Sequence, residues 1–541
     1  MEVTKINNPS EDYLFLDLTE GSGNLLIVDN ELTPVFCRKV SAFVYDFKLQ
    51  PNGELTYGVG NEFTYGDDLG KIYGMDSSGN IIDQFFAPPG ITLDRHELRV
   101  LPDGSYYIIG EESIIVDMSQ YVQGGDTAAV LLANDIIHMD ANDNELWRWR
   151  AIDHYDILDV DEYIDLTQHR IDWTHCNSIE IYPDGNILLS TRNFDEVTKI
   201  DRMTGNIIWH LGGENNQFTF INDTRGFSRQ HCVRQSSNGN LIMFDNGNYL
   251  IPEYSSFVEY EIDETNLTAT LIKRFTRNET IFSRILGSVQ ELTNGNILIG
   301  WGENQDPAVS EINEQDSIEF EIKFINYTYQ YRAYRFKWET NLFEVNSDSI
   351  DFGIVSVGDS SISELNLYNS KDSTVTINEF LINDSSFSVL NDLPISIPPQ
   401  DSVTLLLKFK PTAEGYYIDK LNVRFVTDTL LIGKQVKLIG TTSLVSVEGQ
   451  NNSNFQFSLS QNFPNPFNPT TTIKYKIPKR SFVTIKIYDI LGNEVATLVN
   501  EEKIQGSYEV KFDGISLTSG IYFYQLKTDS FFKTKKMMML K

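Results

Sequence analysis

Three of the seven histidines occupy matching positions ahead of turns of one kind. His96 and His231 each lie seven residues before the Asp or Asn of an Asp-Gly or Asn-Gly turn, and His175 lies nine residues before such a turn. Because side chains on a strand alternate between its two faces, a shift of two residues keeps His175 on the face that the other two share. We therefore predict that three repeated strands present one histidine each to a common space.

Arg192 lies on the returning strand of the His175 hairpin. It follows the turn glycine, Gly185, by seven residues, and antiparallel pairing then makes it a cross-strand neighbour of His175. The equivalent positions in the other two hairpins hold Glu111 and Asn246. We predict that Arg192 acts in catalysis together with the three histidines, and that Asn246 and Glu111 bind substrate.

Three imidazoles and a guanidinium around one cavity suit an oxyanion with several equivalent oxygens. Each imidazole supplies a directed N–H and the arginine supplies a planar fork, so sulfate esters and phosphate esters both fit. A neutral histidine is also a nucleophile that divides a transfer into two steps through a covalent intermediate. Two other hypotheses compete: a metal-dependent hydrolase or lyase with the histidines as ligands, and a non-catalytic binding protein displayed on the cell surface. The fixed cation of Arg192 disfavours a metal dication beside it.

The elements that must position these residues are short hairpins that recur along the first 340 residues. Each has two apolar strands joined by Asn-Gly, Asp-Gly or Gly-Asn, and these dipeptides favour tight turns because Gly and Asn tolerate positive φ. The turn glycines are Gly53, Gly104, Gly185, Gly239 and Gly295. Their spacings of 51, 81, 54 and 56 residues, with an insertion over 111–170, predict the blades of a β-propeller spanning 1–340.

The sequence pattern changes after residue 340. From 341 to 444, alternating strands and a Pro-rich segment at Ile397–Gln400 predict a β-sandwich, and the segment resembles the immunoglobulin-like modules of the abnormal-spindle and hydin type. A polar linker over 445–460 precedes a last unit over 461–541, which we predict to be a second β-sandwich. The predicted fold is therefore all-β, a propeller followed by two sandwiches.

Composition narrows the kinds of partner. The formal net charge is −33 and the lysines and arginines are scattered, so we predict no nucleic-acid partner. No apolar stretch reaches about 18 residues, so we predict no transmembrane segment. Cys37, Cys176 and Cys232 are too few for a disulfide scaffold, and we interpret Cys176 and Cys232 as packing residues. We predict no cofactor and no metal.

The motifs around the candidate site resemble those of a known family. They are Asp172–Ser178, Ser190–Asn193, Trp209–Gly213 and Phe227–His231, with Arg95–Arg99 and Asp245–Gly247. These motifs are similar to the signatures of bacterial arylsulfotransferases, from about residue 13 to about residue 335. The resemblance implies a propeller of six blades, and ping-pong transfer of a sulfuryl group from a phenolic sulfate ester to a phenol without a nucleotide donor. It also implies that His231 is the transiently sulfated nucleophile, and that His96, His175 and Arg192 bind the sulfuryl oxygens.

The C-terminal unit carries a second resemblance. Gln461–Pro469, Ile487–Gly492 and Ser519–Tyr524, followed by the basic Lys533–Lys536, resemble the type A C-terminal sorting domain of the type IX secretion system. This implies the type IX machinery as a partner, and a secreted or outer-surface destination reached through the periplasm. Because Met1–Lys5 shows no signal peptide, we expect that the true start of the protein lies upstream.

Overall fold

A computed structural model describes residues 1–60, 70–278, 280–442, 458–462, 464–478, 481–489, 494–504, 506–515, 517–528 and 532–540. In these ranges the chain forms strands, tight turns and four single-turn 3-10 helices, at Met118–Gln120, Ala151–Asp153, Ile157–Asp159 and Arg192–Phe194. The described residues contain no α-helix. The predicted all-β class is confirmed.

Residues 1–336 contain the strands that build the candidate site. They are β1 (Glu2–Ile6), β2 (Tyr13–Glu20), β3 (Ser22–Val28), β4 (Pro34–Val40), β5 (Phe43–Leu49), β6 (Leu55–Gly60), β7 (Lys71–Met75), β8 (Ile81–Phe85), β9 (Thr92–Val100), β10 (Tyr106–Val116), β11 (Ala129–Met139), β12 (Glu145–Arg150), β13 (Arg170–Asp172), β14 (Cys176–Ile181), β15 (Ile187–Thr191), β16 (Glu196–Ile200), β17 (Ile207–Gly212), β18 (Thr219–Ile221), β19 (His231–Gln235), β20 (Leu241–Asp245), β21 (Ser256–Asp263), β22 (Thr268–Phe275), β23 (Ser288–Glu291), β24 (Ile297–Gly300), β25 (Val309–Ile312), β26 (Ile318–Lys323) and β27 (Tyr329–Phe336).

These strands form six largely antiparallel sheets in the described part of residues 1–336. Their strand orders are β27-β2-β3-β4, β5-β6-β7-β8, β9-β10-β11-β12, β14-β15-β16-β17, β19-β20-β21-β22-β18 and β23-β24-β25-β26-β1. The short strand β13 pairs in parallel with β11. Consecutive strands within a sheet are joined mainly by tight turns, as the recurring hairpins predict.

Each of the six sheets has one edge strand, named first in the orders above, that we call its first strand. These first strands contact one another in a closed order, β27, β5, β9, β14, β19, β23 and back to β27. Both ends of the segment close it, because β1 pairs with β26 in the last sheet and β27 pairs with β2 in the first. Five of the first strands run into the turns at Gly53, Gly104, Gly185, Gly239 and Gly295, all with positive φ. The strands that carry or directly follow the three histidines, β9, β14 and β19, are therefore neighbours.

Large aromatic side chains fill the space between the sheets. Trp149, Trp173, Trp209 and Trp301 are almost completely buried. Three of their indole N–H groups reach an acceptor, for example Trp149 to the carbonyl of Gly205 at 3.0 Å and Trp301 to Ser310 Oγ at 2.9 Å. A buried donor without a partner costs about 1–3 kcal/mol, and these three bonds avoid that cost, whereas the buried indole N–H of Trp209 has no hydrogen-bond acceptor among the described residues.

The segment after residue 341 adds strands to the first sheet. Its strands are β28 (Glu344–Val345), β29 (Ser349–Ile354), β30 (Ser361–Tyr368), β31 (Val375–Ile377), β32 (Glu379–Leu381), β33 (Phe387–Val389), β34 (Ile395–Ile397), β35 (Ser402–Phe409), β36 (Tyr416–Val426) and β37 (Leu430–Thr441). Strand β37 pairs antiparallel with β4, with Leu430 opposite Arg38, and Lys420 forms an ion pair with Asp29 at 2.9 Å. Met1–Leu444 is accordingly one compact unit.

Val445–Lys541 is a second compact unit. Its strands are β38 (Ser458–Leu459), β39 (Thr470–Ile477), β40 (Ser481–Tyr488), β41 (Glu494–Lys503), β42 (Gly506–Asp513), β43 (Gly520–Lys527) and β44 (Phe532–Met539). They form two sheets, β38-β39-β42 and β41-β40-β43-β44. The cluster of buried residues that includes Ile473, Ile485 and Tyr524 forms its core. Of the predicted linker 445–460, residues 445–457 lie outside the described ranges.

Candidate active site

A cavity of about 220 Å³ is lined by residues from several of the first strands. Its lining consists of Thr19, Phe43, Val44, Tyr45, Arg95, His96, His175, His231, Ile285, Leu286, Tyr329 and Tyr331. The three histidines that share a register in the sequence thus meet in one space. The centroids of the His96 and His175 rings are 5.0 Å apart.

His231 is the most buried of the three histidines, with 2% of its surface exposed. Its Nδ1 lies 2.7 Å from Asn246 Oδ1 and 3.0 Å from the carbonyl oxygen of Arg229. Asn246 Nδ2 donates to the carbonyls of Ser283 and Leu286, which fixes the amide with its oxygen toward His231. With two acceptors before it, Nδ1 carries the hydrogen, and Nε2 is left with its lone pair.

The protonation of His231 follows from its surroundings. Burial and the nearby guanidinium of Arg192 hold the pKa of His231 well below its ordinary value of 6.5, although the hydrogen bond to Asn246 opposes this. The other two histidines add to the lowering. At neutral pH His231 is therefore a neutral imidazole with an unprotonated Nε2, the form that attacks an electrophile.

His96 and His175 are each anchored by a carboxylate. His96 Nδ1 lies 2.6 Å from Asp94 Oδ1, and His175 Nδ1 lies 2.5 Å from Asp172 Oδ2. Burial lowers the pKa of His96, and Asp94 works against that lowering. Each carboxylate accepts from Nδ1, so both rings direct Nε2 away from their anchors as a donor or acceptor for a substrate.

The backbone at His175 is unusual for a residue with a side chain. His175 directly precedes β14 and has a φ of 50°, in the left-handed region. Such a conformation costs on the order of 1–3 kcal/mol in a non-glycine residue. Its carbonyl accepts from the backbone N–H of Arg192 at 3.2 Å, which joins the two predicted site residues across the hairpin.

Arg192 begins the 3-10 turn that follows β15, and its guanidinium lies beside the cavity without forming part of the lining. It donates to two neutral oxygens, Asn193 Oδ1 at 3.0 Å and the carbonyl of Arg284 at 3.3 Å. Burial and the positive charge of Arg229 lower the pKa of Arg192 to about 10. Arg192 remains a cation at neutral pH, and no carboxylate of the described residues forms a salt bridge with it.

Asn246 and Glu111, which the sequence places at equivalent positions, lie in different surroundings. Asn246 lies directly behind His231 and holds its Nδ1. Glu111 is absent from the cavity lining and lies 3.7 Å from Arg170. Burial and the carboxylates Asp94 and Asp172 raise the pKa of Glu111 to about 7. Glu111 thus lies near the two carboxylates that anchor His96 and His175.

The sequence alone did not single out Arg95 and the aromatic side of the cavity. Arg95 lies over the ring of Tyr45, with Cζ 4.6 Å from the centroid. Tyr331 faces both Tyr45 and His96, at ring-centroid distances of 5.7 Å. A signal for Arg95 was available, because it precedes His96 and because Gly60 in the neighbouring sheet leaves room for its side chain.

A buried ionic network joins four of the first strands next to the site. Glu97, which follows His96, is completely buried and pairs with Arg332 at 2.9 Å, Arg234 at 2.6 Å and Lys48 at 2.5 Å. Arg332 also pairs with Asp46 at 2.8 Å. These contacts tie β5, β9, β19 and β27 together and hold the histidine-bearing strands at fixed spacing.

No group of three or more His, Cys, Asp or Glu side chains is arranged to hold a metal ion in the part of the chain that the structure describes. Among the same residues, no helix has the length and apolar character needed to cross a membrane.

The fold and the cavity together define an all-β protein with a histidine-lined site and a buried arginine cation beside it. A family model described as Arylsulfotransferase (ASST) matches residues 2–342. The chain belongs to the arylsulfotransferase family, as the motifs predicted, and this supports aryl sulfotransferase activity in general.

A second model, described as Secretion system C-terminal sorting domain, matches residues 461–540 and confirms the predicted sorting domain. A domain of this type implies secretion or display at the cell surface. A comparison with curated proteins returned no match.

Several solved structures are similar to this chain. A protein of unknown function from Bacteroides caccae is 12% identical, with a TM-score of 0.37, and the match covers 60% of this chain and 98% of that one. Virginiamycin B lyase from Staphylococcus aureus is 12% identical over 60% of this chain and 88% of its own, with a TM-score of 0.31. PorZ of Porphyromonas gingivalis is 12% identical over 100% of this chain and 75% of its own, with a TM-score of 0.23.

Proposed function

We propose that the protein transfers a sulfuryl group from a phenolic sulfate ester to a phenol acceptor by a ping-pong mechanism, with no nucleotide donor. The transfer passes through a sulfohistidine on His231. The observation that carries this proposal is the state of His231, whose Nδ1 is held by Asn246 and Arg229 while its neutral Nε2 is left for the cavity.

In the first half-reaction, the lone pair of His231 Nε2 forms a bond to sulfur as the sulfur–aryl oxygen bond breaks. The phenolate leaves with the negative charge of the ester, and His231 keeps its hydrogen on Nδ1. The bound anionic ester favours a proton on His96 Nε2 against the lowering by burial, and His96 then donates that proton to the departing phenolate. In the second half-reaction an acceptor phenol returns that proton and its oxygen displaces His231 Nε2 from sulfur.

Three groups support the sulfuryl oxygens in this scheme. Arg192 supplies a cation, while Asp94 and Asp172 orient His96 and His175 so that Nε2 faces the sulfuryl oxygens and donates to them when it carries a proton. By analogy with phosphoryl transfer, the transition state is loose, and stabilisation of the equatorial oxygens supplies most of the catalysis. Exchange between phenols of similar pKa, about 10 for the unsubstituted ring, is nearly thermoneutral, so no activated nucleotide is needed.

The proposal includes the architecture that presents the site. The six sheets of residues 1–336 are the blades of a six-bladed propeller, and the cavity lies near its axis. Residues 341–444 and 461–541 are two β-sandwich domains that follow it. The sorting domain acts with the type IX secretion machinery, which carries the enzyme through the periplasm to the cell surface or the medium.

The aromatic side chains in the cavity support an aryl substrate. Phe43, Tyr45, Tyr329 and Tyr331 supply flat apolar surfaces beside the three histidines. A volume of about 220 Å³ is suited to a single substituted ring rather than to a nucleotide. Phenols and their sulfate esters thus match the cavity in both size and polarity.

The proposed activity is tested with 4-nitrophenyl sulfate and phenol in the absence of any nucleotide. We expect release of nitrophenolate that depends on phenol, and phenyl sulfate as the second product. Folded protein that releases no nitrophenolate with phenol present would contradict the proposal and favour a binding role. A chelator added to a parallel reaction tests the alternative of a metal-dependent hydrolase or lyase, which loses activity on chelation.

A further inference from the structure

A groove of about 1040 Å³, separate from the histidine cavity, borders the candidate site on the other side of Arg192. Much of it is formed by the inserted segment, residues 158–167, together with residues from the loops after β15, β17 and β20. Ser228 lines the groove, and His231, three residues later, lines the cavity. Arg192 and Asn248 both donate to the carbonyl of Arg284, at 3.3 and 3.1 Å, so the groove lies one side chain from Arg192.

The charged side chains that line the groove are all acidic. Its carboxylates are Asp159, Asp161, Glu162, Asp165, Asp195 and Glu214, and its lining holds no Lys, Arg or His. Arg229 lies buried beneath it, 3.2 Å from Asp161 and 3.9 Å from Asp195. Burial and the neighbouring Asp161 raise the pKa of Asp195 to about 7, as expected where carboxylates outnumber cations.

Asn248 points to a ligand independently of the carboxylates. It lines the groove, is only 4% exposed, and donates a hydrogen bond from Nδ2 to the carbonyl of Arg284. Its Oδ1 accepts no hydrogen bond from the described residues. A buried amide oxygen without a donor costs about 1–3 kcal/mol, so the position is suited to a ligand that brings an N–H.

The rest of the lining favours an organic cation over a bare ion. Tyr163 and Tyr249 stack at a centroid distance of 3.7 Å, and the guanidinium of Arg229 lies over the Tyr249 ring at 5.4 Å. Tyr163 is about half exposed, so its outer face is open to an organic ammonium group. Val160, Ile164 and Leu250 add apolar surface, which fits an alkyl arm.

We propose that this groove binds the cationic arm of the acceptor, so that the preferred acceptors are phenols that carry an ammonium group on an alkyl chain. The phenol occupies the histidine cavity, and the arm extends past Arg192 to the carboxylates and to Asn248. This inference rests on the proposed sulfotransferase function and specifies its acceptor class.

Acceptor competition tests the inference. Phenols with short and long aminoalkyl arms, tyramine among them, are compared with 4-ethylphenol and 4-hydroxyphenylacetate, with 4-nitrophenyl sulfate as donor. We expect the lowest KM for an aminoalkyl phenol, the highest for the anionic phenol, and a smaller difference at high salt. Equal KM values for the three classes would overturn the inference.

A charge-removing variant locates the effect. Glu162→Gln/Glu214→Gln removes two exposed carboxylates that have no hydrogen bond or ion pair among the described residues. We expect KM for aminoalkyl phenols to rise about fivefold, with KM for 4-ethylphenol unchanged. The matched control, Glu364→Gln/Glu414→Gln, removes two exposed carboxylates in residues 341–444 and is expected to leave both constants as they are. A similar rise in the control would contradict the inference.

Direct binding separates this inference from the proposed function. Isothermal titration of the full chain with tyramine and a longer aminoalkyl phenol is expected to show binding that Glu162→Gln/Glu214→Gln weakens about fivefold, whether or not the protein turns over. Binding without turnover of any acceptor would sink the sulfotransferase proposal while retaining the cation-binding groove. Turnover of neutral phenols without binding of the amines would overturn the groove inference alone. Binding of calcium ions by a protein that does not bind the amines would overturn it as well.

Discussion

Asn246 Oδ1 lies 2.7 Å from His231 Nδ1, and this contact, with the longer one to the carbonyl of Arg229, selects which nitrogen of the central histidine is available for reaction. The amide cannot turn over without placing its NH2 against His231 and its oxygen against the carbonyls of Ser283 and Leu286. Asn246 thus acts as a positioning residue. The sequence suggested that it binds substrate, whereas the geometry favours a role exerted through His231.

Replacement of Asn246 tests that role. We expect Asn246→Ala to lower kcat by about 10- to 100-fold with little change in KM, because only the longer contact to the Arg229 carbonyl then favours hydrogen on Nδ1 of the neutral imidazole. Nitrogen NMR of the His231 ring is expected to show a mixture of tautomers in the variant. An unchanged tautomer with an unchanged kcat would contradict a positioning role.

Removal of the nucleophile has a sharper outcome. We expect His231→Ala to lose at least about 10³-fold in kcat, because no other group in the cavity holds a neutral Nε2 so deeply buried. The wild-type protein, mixed with 4-nitrophenyl sulfate and no acceptor, is expected to gain the mass of one SO3 group on the peptide that contains His231. His210→Ala serves as the control, since His210 pairs with Glu196 and does not line the cavity. Label on another residue would show that His231 is not the nucleophile.

Arg192→Lys separates charge from geometry. Lysine keeps the positive charge but loses the planar fork, and we expect kcat to fall by about 10²-fold while folding stability stays near that of the wild type. Arg192→Met is expected to lose more, because it removes the charge as well. Equal activity of the lysine variant and the wild type would show that the guanidinium does not contact the sulfuryl group.

The depressed pKa of His231 predicts an unusual tolerance of acid in the first half-reaction. Since the neutral form attacks, the burst of nitrophenolate is expected to stay constant as the pH falls through 6.5, the ordinary histidine value, and to decline only at the lowered pKa of the folded protein. Folding stability behaves differently. Between the lowered pKa of folded His231 and the ordinary value of 6.5, the unfolded chain binds a proton at this histidine that the folded protein does not. We expect the free energy of unfolding to fall as the pH drops across that window. A burst that halves near pH 6.5 would contradict the buried, neutral state.

The ionic network next to the site predicts a large stability effect. Glu97→Gln leaves Arg332, Arg234 and Lys48 without their shared carboxylate in a fully buried position, and we expect a loss of about 3–5 kcal/mol in the free energy of unfolding. Denaturant unfolding of the wild type, of Glu97→Gln and of the surface control Glu364→Gln measures it. A loss below that of a typical surface substitution would show that the network does not hold the strands together.

Much of the fold could be predicted from local signals. The turn glycines have positive φ where the Asn-Gly and Asp-Gly pairs predicted them, and the strands leading into those turns are the first strands of their sheets. Both signals are local, because turn chemistry and side-chain alternation depend on a few adjacent residues. The family and the sorting domain could be predicted as well, since their motifs are contiguous.

The role of β27 could not be predicted in the same way. Tyr331 lines the cavity, and Arg332 anchors the ionic network, only because residues near 330 pair with β2 near the start of the chain. That pairing spans more than 300 residues and depends on closure of the whole ring. No local pattern specifies which edge strand a distant strand will join.

By itself, the sequence predicted that three repeated hairpins bring His96, His175 and His231 to a common space, because turn chemistry and the two-residue period of a strand are local signals. The structure adds a register shift in each of these hairpins and places His175 directly before β14. Only the tertiary structure decided which ring nitrogen each histidine leaves for reaction. That choice depends on Asp94, Asp172 and Asn246 lying within hydrogen-bond distance of Nδ1, and such distances arise from backbone geometry and close packing. It also decided that Arg192 lies between the histidine cavity and the acidic groove, because the inserted segment lies beside the turn that follows β15.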